Sequence, residues 1–297
     1  YYSHDELQWA VHAADGVLVP WLDLSAFQYR PLTFNVWMVL SRALFDTPIL
    51  FHAVLVAAGA LNAALLFAVG RGLGVMPRHA AIGALAFVLS PYAVYTHGWV
   101  GCIADLLWVG CALLLALYVQ RVQHVLLAAL ASALLTGIAL LAKEAAFAIP
   151  PMLVLAWWFD GHKAKWLAAA LTSGAVAALY LGLRIDVLLH APREGTQYVL
   201  SVWHAPLRWL EYQLFPPILP LQEAITTLQR PLPLLVAGVL WLGLFAALWQ
   251  AGRRYAALFL LGGIAALLPV LPLASAWNHY AYGFAAVAAM IIAAAWP

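Results

Sequence analysis

PILFHAVLVAAGALNAALLFAVG, residues 48–70, runs for 23 residues without an Asp, Glu, Lys or Arg. A helix rising about 1.5 Å per residue carries such a run roughly 35 Å, enough to cross the ~30 Å hydrocarbon core of a bilayer. The run is continuous and rich in Leu and Ala, which favour helix, whereas a membrane barrel shows short alternating segments. The rest of the chain follows suit. Of 297 residues, 66% are hydrophobic and 9% charged, and the mean hydropathy is +0.92. That is far from the composition of soluble domains. The fold class read from these numbers is an all-α polytopic membrane protein.

Working outward from 48–70, further apolar runs give nine expected spans: about 48–70, 79–96, 101–120, 124–142, 144–159, 164–184, 232–250, 254–273 and 279–296. They divide the chain into a first loop (1–47), a six-helix membrane module (48–184), a long second loop (185–231) and three C-terminal spans (232–297). Alternate short loops carry Arg71, Arg78, Arg121, Lys163, Lys165, Arg253 and Arg254, and those on the other side hold only Lys143. The positive-inside rule makes the first set cytoplasmic and puts Tyr1 outside, in the periplasm of a bacterial inner membrane. Of the twelve acids, only Asp160 then falls on the cytoplasmic side. Both long loops mix Trp, Tyr and Pro with amphipathic stretches, such as ELQWAVHAADGVLVPWL, so short helices lying in the outer interface are expected there. An outer start at Tyr1 also suggests a further membrane helix preceding it.

Ionisable groups within spans cost roughly 2.5–3.5 kcal/mol each on insertion scales, so each needs a reason. Asp105 lies about one turn inside the third span, Lys143 and Glu144 join the fourth to the fifth, and His279 opens the last. The topology brings all of them to the outer edge, where Asp5 and Glu6 also lie. The bland account of any one of them is a snorkelling lysine, a local ion pair or a helix cap, and Asp5 can cap ELQWAVHAA. Taken together, the set points to one shared polar site. Other chemistries have little support. No HExxH or paired-Cys pattern marks a metal, no GxxxxGK[ST] marks a nucleotide, and nothing suggests nucleic acid. Cys102 and Cys111 fall about 13 Å apart on one helix, too far for a disulfide within it, and read as free thiols.

Four segments resemble type C (GT-C) membrane glycosyltransferases, most closely the transmembrane O-mannosyltransferases and their bacterial relatives. They are YRPLTFNVWMVLSRALFDTPILFHAVLVAAGALNAALLF (29–67), SPYAVYTHGWVGCIADLLW (90–108), LLAKEAAFAIPPMLVLAWW (140–158) and NHYAYGFAAVAA (278–289). The likeness covers most of residues 1–160 and the last twenty. It implies an inverting transferase that moves a sugar from a polyprenyl phosphate to an acceptor hydroxyl on the outer face. Asp5 would be the general base, with Glu6 beside it. Arg30, Lys143, Arg184 or Arg193 would supply cations to the lipid phosphate, His279 and Tyr280 hydrogen bonds, and Asp105 and Glu144 would complete the site. Neither metal nor cofactor is required beyond the lipid-linked sugar, since Arg and Lys alone can stabilise a phosphate.

The chain also departs from the family pattern. Cys102-Ile103-Ala104-Asp105 stands where relatives carry Gly-Arg-x-Asp, and Asn278-His279-Tyr280 where they carry Glu-Arg-Tyr. These missing arginines motivate a second reading, a catalytically inactive GT-C-like scaffold or accessory subunit among membrane-protein partners. That reading expects no open cavity between the two long loops. A transporter is a third, more distant reading, disfavoured because the charges crowd one edge instead of mid-membrane.

Overall fold

The computed structural model describes residues 4–190, 199–214 and 229–296, with residues 4–6, 8 and 9 described by their backbone alone. Two helices, α1 (His4–Asp15) and α2 (Pro31–Leu44), occupy the first loop. The bundle begins with α3 (Pro48–Gly72), which covers the run at 48–70. Next come α4 (Pro77–Val88) and α5 (Pro91–Gly98), which meet at a bend of 59°. The bend follows from Pro91, which cannot continue the helix, while the Ser90 hydroxyl accepts the Ala93 N–H and starts a new one.

Then α6 (Ile103–Arg121) and α7 (Val125–Ala142) form a hairpin. A short 3-10 turn at Glu144–Ala148 leads into α8 (Ile149–Phe159), and α9 (Ala164–His190) returns. The second loop contributes α10 (Ala205–Gln213). The chain closes with α11 (Pro231–Ala251), α12 (Arg253–Leu267) and α13 (Tyr282–Ala295). Among the described residues no named strand occurs; Leu200 and Leu273 form an isolated bridge.

Among the described residues, six helical segments are long and apolar enough to cross a membrane, or seven where the bent α4–α5 pair is counted as one span. Nine spans were expected, and a helix stands at each position, but the 79–96 span is broken at the bend, the helical stretch Glu144–Phe159 and the 15-residue α12 fall short of membrane length, and two boundaries differ. The helix expected to end at 184 continues to His190, because IDVLLH offers neither Pro nor Gly to stop it. The one expected over 254–273 ends at Leu267: Leu268 still has helical dihedrals, but Pro269 has no N–H to continue the ladder and its ring crowds the preceding turn.

Small residues set the tightest packing. Ala128, Ser132 and Thr136 on α7 face Ala169, Ser173 and Ala177 on α9, all buried. Ser132 Oγ donates to the Ala169 carbonyl at 2.6 Å, and the Thr136 and Ser173 hydroxyls lie 2.8 Å apart. In lipid, close backbone approach and interhelical hydrogen bonds of this kind take over what the hydrophobic effect does in water. Residues 15–47, 97–102, 143–148, 199–214 and 268–281 gather at one end of the bundle, the first-loop end. The connections after α3, α6, α8 and α11 form the far end.

Candidate functional site

Four charged side chains from three parts of the sequence meet at the first-loop end. Asp105 sits in the first turn of α6, where the helix dipole favours an anion. Lys143 follows the last turn of α7, where it favours a cation. Lys143 Nζ donates to both Asp105 carboxylate oxygens, at 2.8 and 2.6 Å, and the Trp108 indole N–H reaches Oδ1 at 3.3 Å. Both ions are sealed, Asp105 being 1% and Lys143 5% exposed. The Lys143 backbone is extended (φ −162°, ψ 141°), so the next side chain, Glu144, turns away from the pair. Glu144 Oε2 instead accepts from Arg30 Nε at 2.9 Å. Arg30 stands directly before α2, and Thr33 on α2 donates its hydroxyl to the Ala142 carbonyl at 2.8 Å. That bond fixes the first loop against the Lys143–Glu144 junction.

The two ion pairs border a cavity of about 300 Å³. Its polar lining comes from Gln28, Arg30, Lys143, Glu144 and Tyr280. The remainder is apolar, walled by Leu181, Ile185, Leu188 and Leu189 of α9 and by Val270 and Leu273 beyond α12. The Lys143 ammonium lies 5.0 Å from the centroid of the Tyr280 ring, a cation–π distance. Arg30, Lys143, Glu144 and Tyr280 of the expected set therefore share one chamber, and Asp105 reaches it through Lys143.

Two expected residues stand elsewhere. Arg184 lies on α9 beside the wall residues, but its guanidinium turns to the first loop and donates to the carbonyls of Leu24, Ala26 and Phe27. His279 lies behind Tyr280, stacked on Tyr95 (ring centroids 6.2 Å, 16° between planes) and edge-on to Trp99. Its Nδ1 is buried without a hydrogen-bond partner among the described residues. The side chains of Asp5 and Glu6, and the whole of Arg193, lie outside the described residues. The helix that carries Asp5 and Glu6, α1, packs on α2 and on the Val100–Cys102 turn that leads to Asp105. Among the described residues, no three His, Cys, Asp or Glu side chains are grouped to hold a metal.

A second buried polar network escaped the sequence reading. Asn62, in the middle of α3, donates to the Leu106 carbonyl (3.0 Å) and the Tyr282 hydroxyl (3.2 Å), and that hydroxyl also meets His97 Nε2 at 3.0 Å. Gly59 makes the room, because a Cβ there would lie 2.4 Å from the His97 ring. The lone Asn inside the run at 48–70 was the available signal, since polar side chains in spans usually bond across helices.

Chemically, the cavity lining combines a guanidinium, an ammonium and a carboxylate with apolar side chains. The Arg30–Glu144 pair is partly open to solvent. The Asp105–Lys143 pair is closed and holds its place. Comparison with models of known protein families, with curated proteins and with solved structures gives no match for this chain.

Proposed function

We propose that this chain is an inverting glycosyltransferase of the outer, periplasmic face of a bacterial inner membrane, using a polyprenyl-phosphate sugar as donor. The observation that supports this reading most is the mixed lining of the cavity, in which Arg30, Lys143 and Glu144 share one chamber with the leucines of α9. In this reading the donor phosphate sits at Arg30, and its prenyl chain runs past Leu181, Ile185 and Leu188. The acceptor hydroxyl oxygen attacks the anomeric carbon on the face opposite the phosphate. The carbon–oxygen bond to phosphate breaks, its electron pair leaves on the polyprenyl phosphate, and Asp5 takes the hydroxyl proton with Glu6 in reserve. Arg30 and the Lys143 field steady the charge that develops on the leaving phosphate.

The test is transfer from synthetic polyprenyl-phosphate sugars in proteoliposomes, read as released polyprenyl phosphate. Asp5→Asn is expected to lower turnover by about 10²-fold or more, the usual worth of a general base. Wild-type rates in that variant would remove Asp5 from the role. One observation favours the scaffold reading: both cations at the cavity already carry acidic partners. A scaffold would show no turnover with any lipid-phosphate sugar and would co-purify with a membrane-protein partner.

A further inference from the structure

The only cation of the expected set that contacts no carboxylate, among the described residues, is the most deeply buried one. Arg184 is 0% exposed. Its Nη1 donates to the Leu24 and Ala26 carbonyls, both at 2.6 Å, and its Nη2 to the Phe27 carbonyl at 2.7 Å. The guanidinium carbon lies 5.1 Å from the Tyr29 ring centroid. Tyr29 is held in turn, its hydroxyl donating to the Trp21 carbonyl and its own carbonyl accepting from Tyr180 at 3.4 Å. Burying a guanidinium is costly, and main-chain carbonyls offset that cost only where the chain is folded to converge on it. Three carbonyls from four consecutive residues do so here.

From this we infer that Arg184 is a positioning residue, which locks segment 24–30 of the first loop onto α9 and so sets where Gln28 and Arg30 stand in the cavity lining. The inference rests on the lipid-phosphate reading above. Its geometric basis is that one short stretch of α9 both lines the cavity and holds the loop that supplies part of its polar lining. Leu181, Ile185 and Leu188 line it with apolar side chains, and Arg184 between them reaches the loop whose next residues, Phe27, Gln28 and Arg30, line it too. The distance between the tail path and the head group is thereby fixed by a single helix. Asn35 and Arg42 hold the earlier part of the loop in the same manner, at both main-chain atoms of Val19 (2.7 and 3.0 Å) and at the Ala13 carbonyl (2.7 Å). Those anchors hold residues 13–19, whereas Arg184, together with the Thr33 hydroxyl on the Ala142 carbonyl, holds the part of the loop next to the cavity.

The experiment compares the wild-type chain with Arg184→Gln and Arg184→Lys in lipid nanodiscs. Chymotryptic cutting at Trp21, Phe27 and Tyr29 reports the loop. Calorimetric titration with dodecyl phosphate, with dodecanol as the uncharged control, reports the site. Arg184→Gln is expected to speed cutting and to weaken dodecyl phosphate by about tenfold or more, the worth of one hydrogen bond to a charged group. Dodecanol binding stays unchanged. Arg184→Lys, which keeps the charge but loses the fork, is expected to fall between and to serve alone should the Gln variant fail to fold. Cutting at the wild-type rate overturns the inference, and so does fast cutting with dodecyl phosphate affinity intact. Failure of the wild-type chain itself to prefer dodecyl phosphate over dodecanol defeats the lipid-phosphate reading, and with it the role of Arg184 at that site, while the cutting rates still show whether Arg184 holds the loop.

Discussion

The two ends of the bundle both carry ionised side chains and hold them in opposite ways. At the far end, cations cap the carbonyls where helices stop and remain in contact with water. Lys165 Nζ donates to the Gln120 and Val122 carbonyls (2.7 and 3.0 Å), Arg71 Nη1 to the Val75 carbonyl (2.6 Å), and Arg254 Nη2 to the Trp158 carbonyl (2.5 Å). The ion pair there, Lys163–Asp160, leaves the lysine side chain 55% exposed. At the first-loop end, Asp105, Lys143 and Arg184 are all shut away from solvent. Charge in water is cheap to keep and worth little. Sealed charge is expensive, and a hydrophobic pair of the same volume is often as stable. The first-loop end therefore carries a desolvation cost that the far end avoids.

The contrast breaks most readily at Lys143. Lys143→Ala strands Asp105 as a buried unpaired carboxylate and is expected to cost about 3–5 kcal/mol in detergent unfolding. Replacing both partners, Asp105→Leu with Lys143→Met, should recover most of that loss while ligand binding stays impaired. A single variant as stable as wild type would show that the pair is not sealed. Gly59→Ala is expected to cost about 1–3 kcal/mol, because the added methyl overlaps His97, which its bond to Tyr282 keeps from moving. The unfolding midpoint measures it.

A third expectation concerns Glu211 of α10, in the second loop. Burial pushes its carboxyl up, against the pull of Arg208 at 2.5 Å. The folded chain thus holds that proton more tightly than the unfolded one. The associated stability is complete below the ordinary glutamate range and is lost as pH rises through the raised value. Glu211→Gln should flatten that part of the stability–pH curve, and an unchanged curve would refute the shift. The smallest effect belongs to the far end. Lys163→Ala should alter stability by no more than about 0.5 kcal/mol, with a further decrease of that effect in high salt.

Much of the bundle was legible because apolar runs of membrane length leave few alternatives. The run at 48–70 became α3, and Pro48, Pro77 and Pro231 open helices where a proline costs nothing. The bend at Ser90–Pro91 and the early stop before Pro269 were missed because apolarity alone does not show where a helix breaks inside an apolar stretch. At the site, the grouping of Asp105, Lys143 and Glu144 was expected from topology, and the structure brings Lys143 and Glu144 to one cavity with Arg30 and Tyr280, Asp105 standing behind Lys143. The role of Arg184 did not follow, because its partners are main-chain carbonyls, which carry no signature in a sequence. The spacing of Ala128, Ser132 and Thr136 was equally silent, since small residues are common throughout so Ala-rich a chain.

The Asp105–Lys143 bond also bears on how such a chain enters the bilayer. Its two partners open α6 and close α7, consecutive helices joined by only three residues, 122–124. Neither helix can shed its charge alone, but together they form a neutral hairpin as soon as the second leaves the insertion machinery. Biogenesis should therefore proceed by that hairpin as a unit, and a glycosylation-mapping assay of α6 with and without α7 would record the difference.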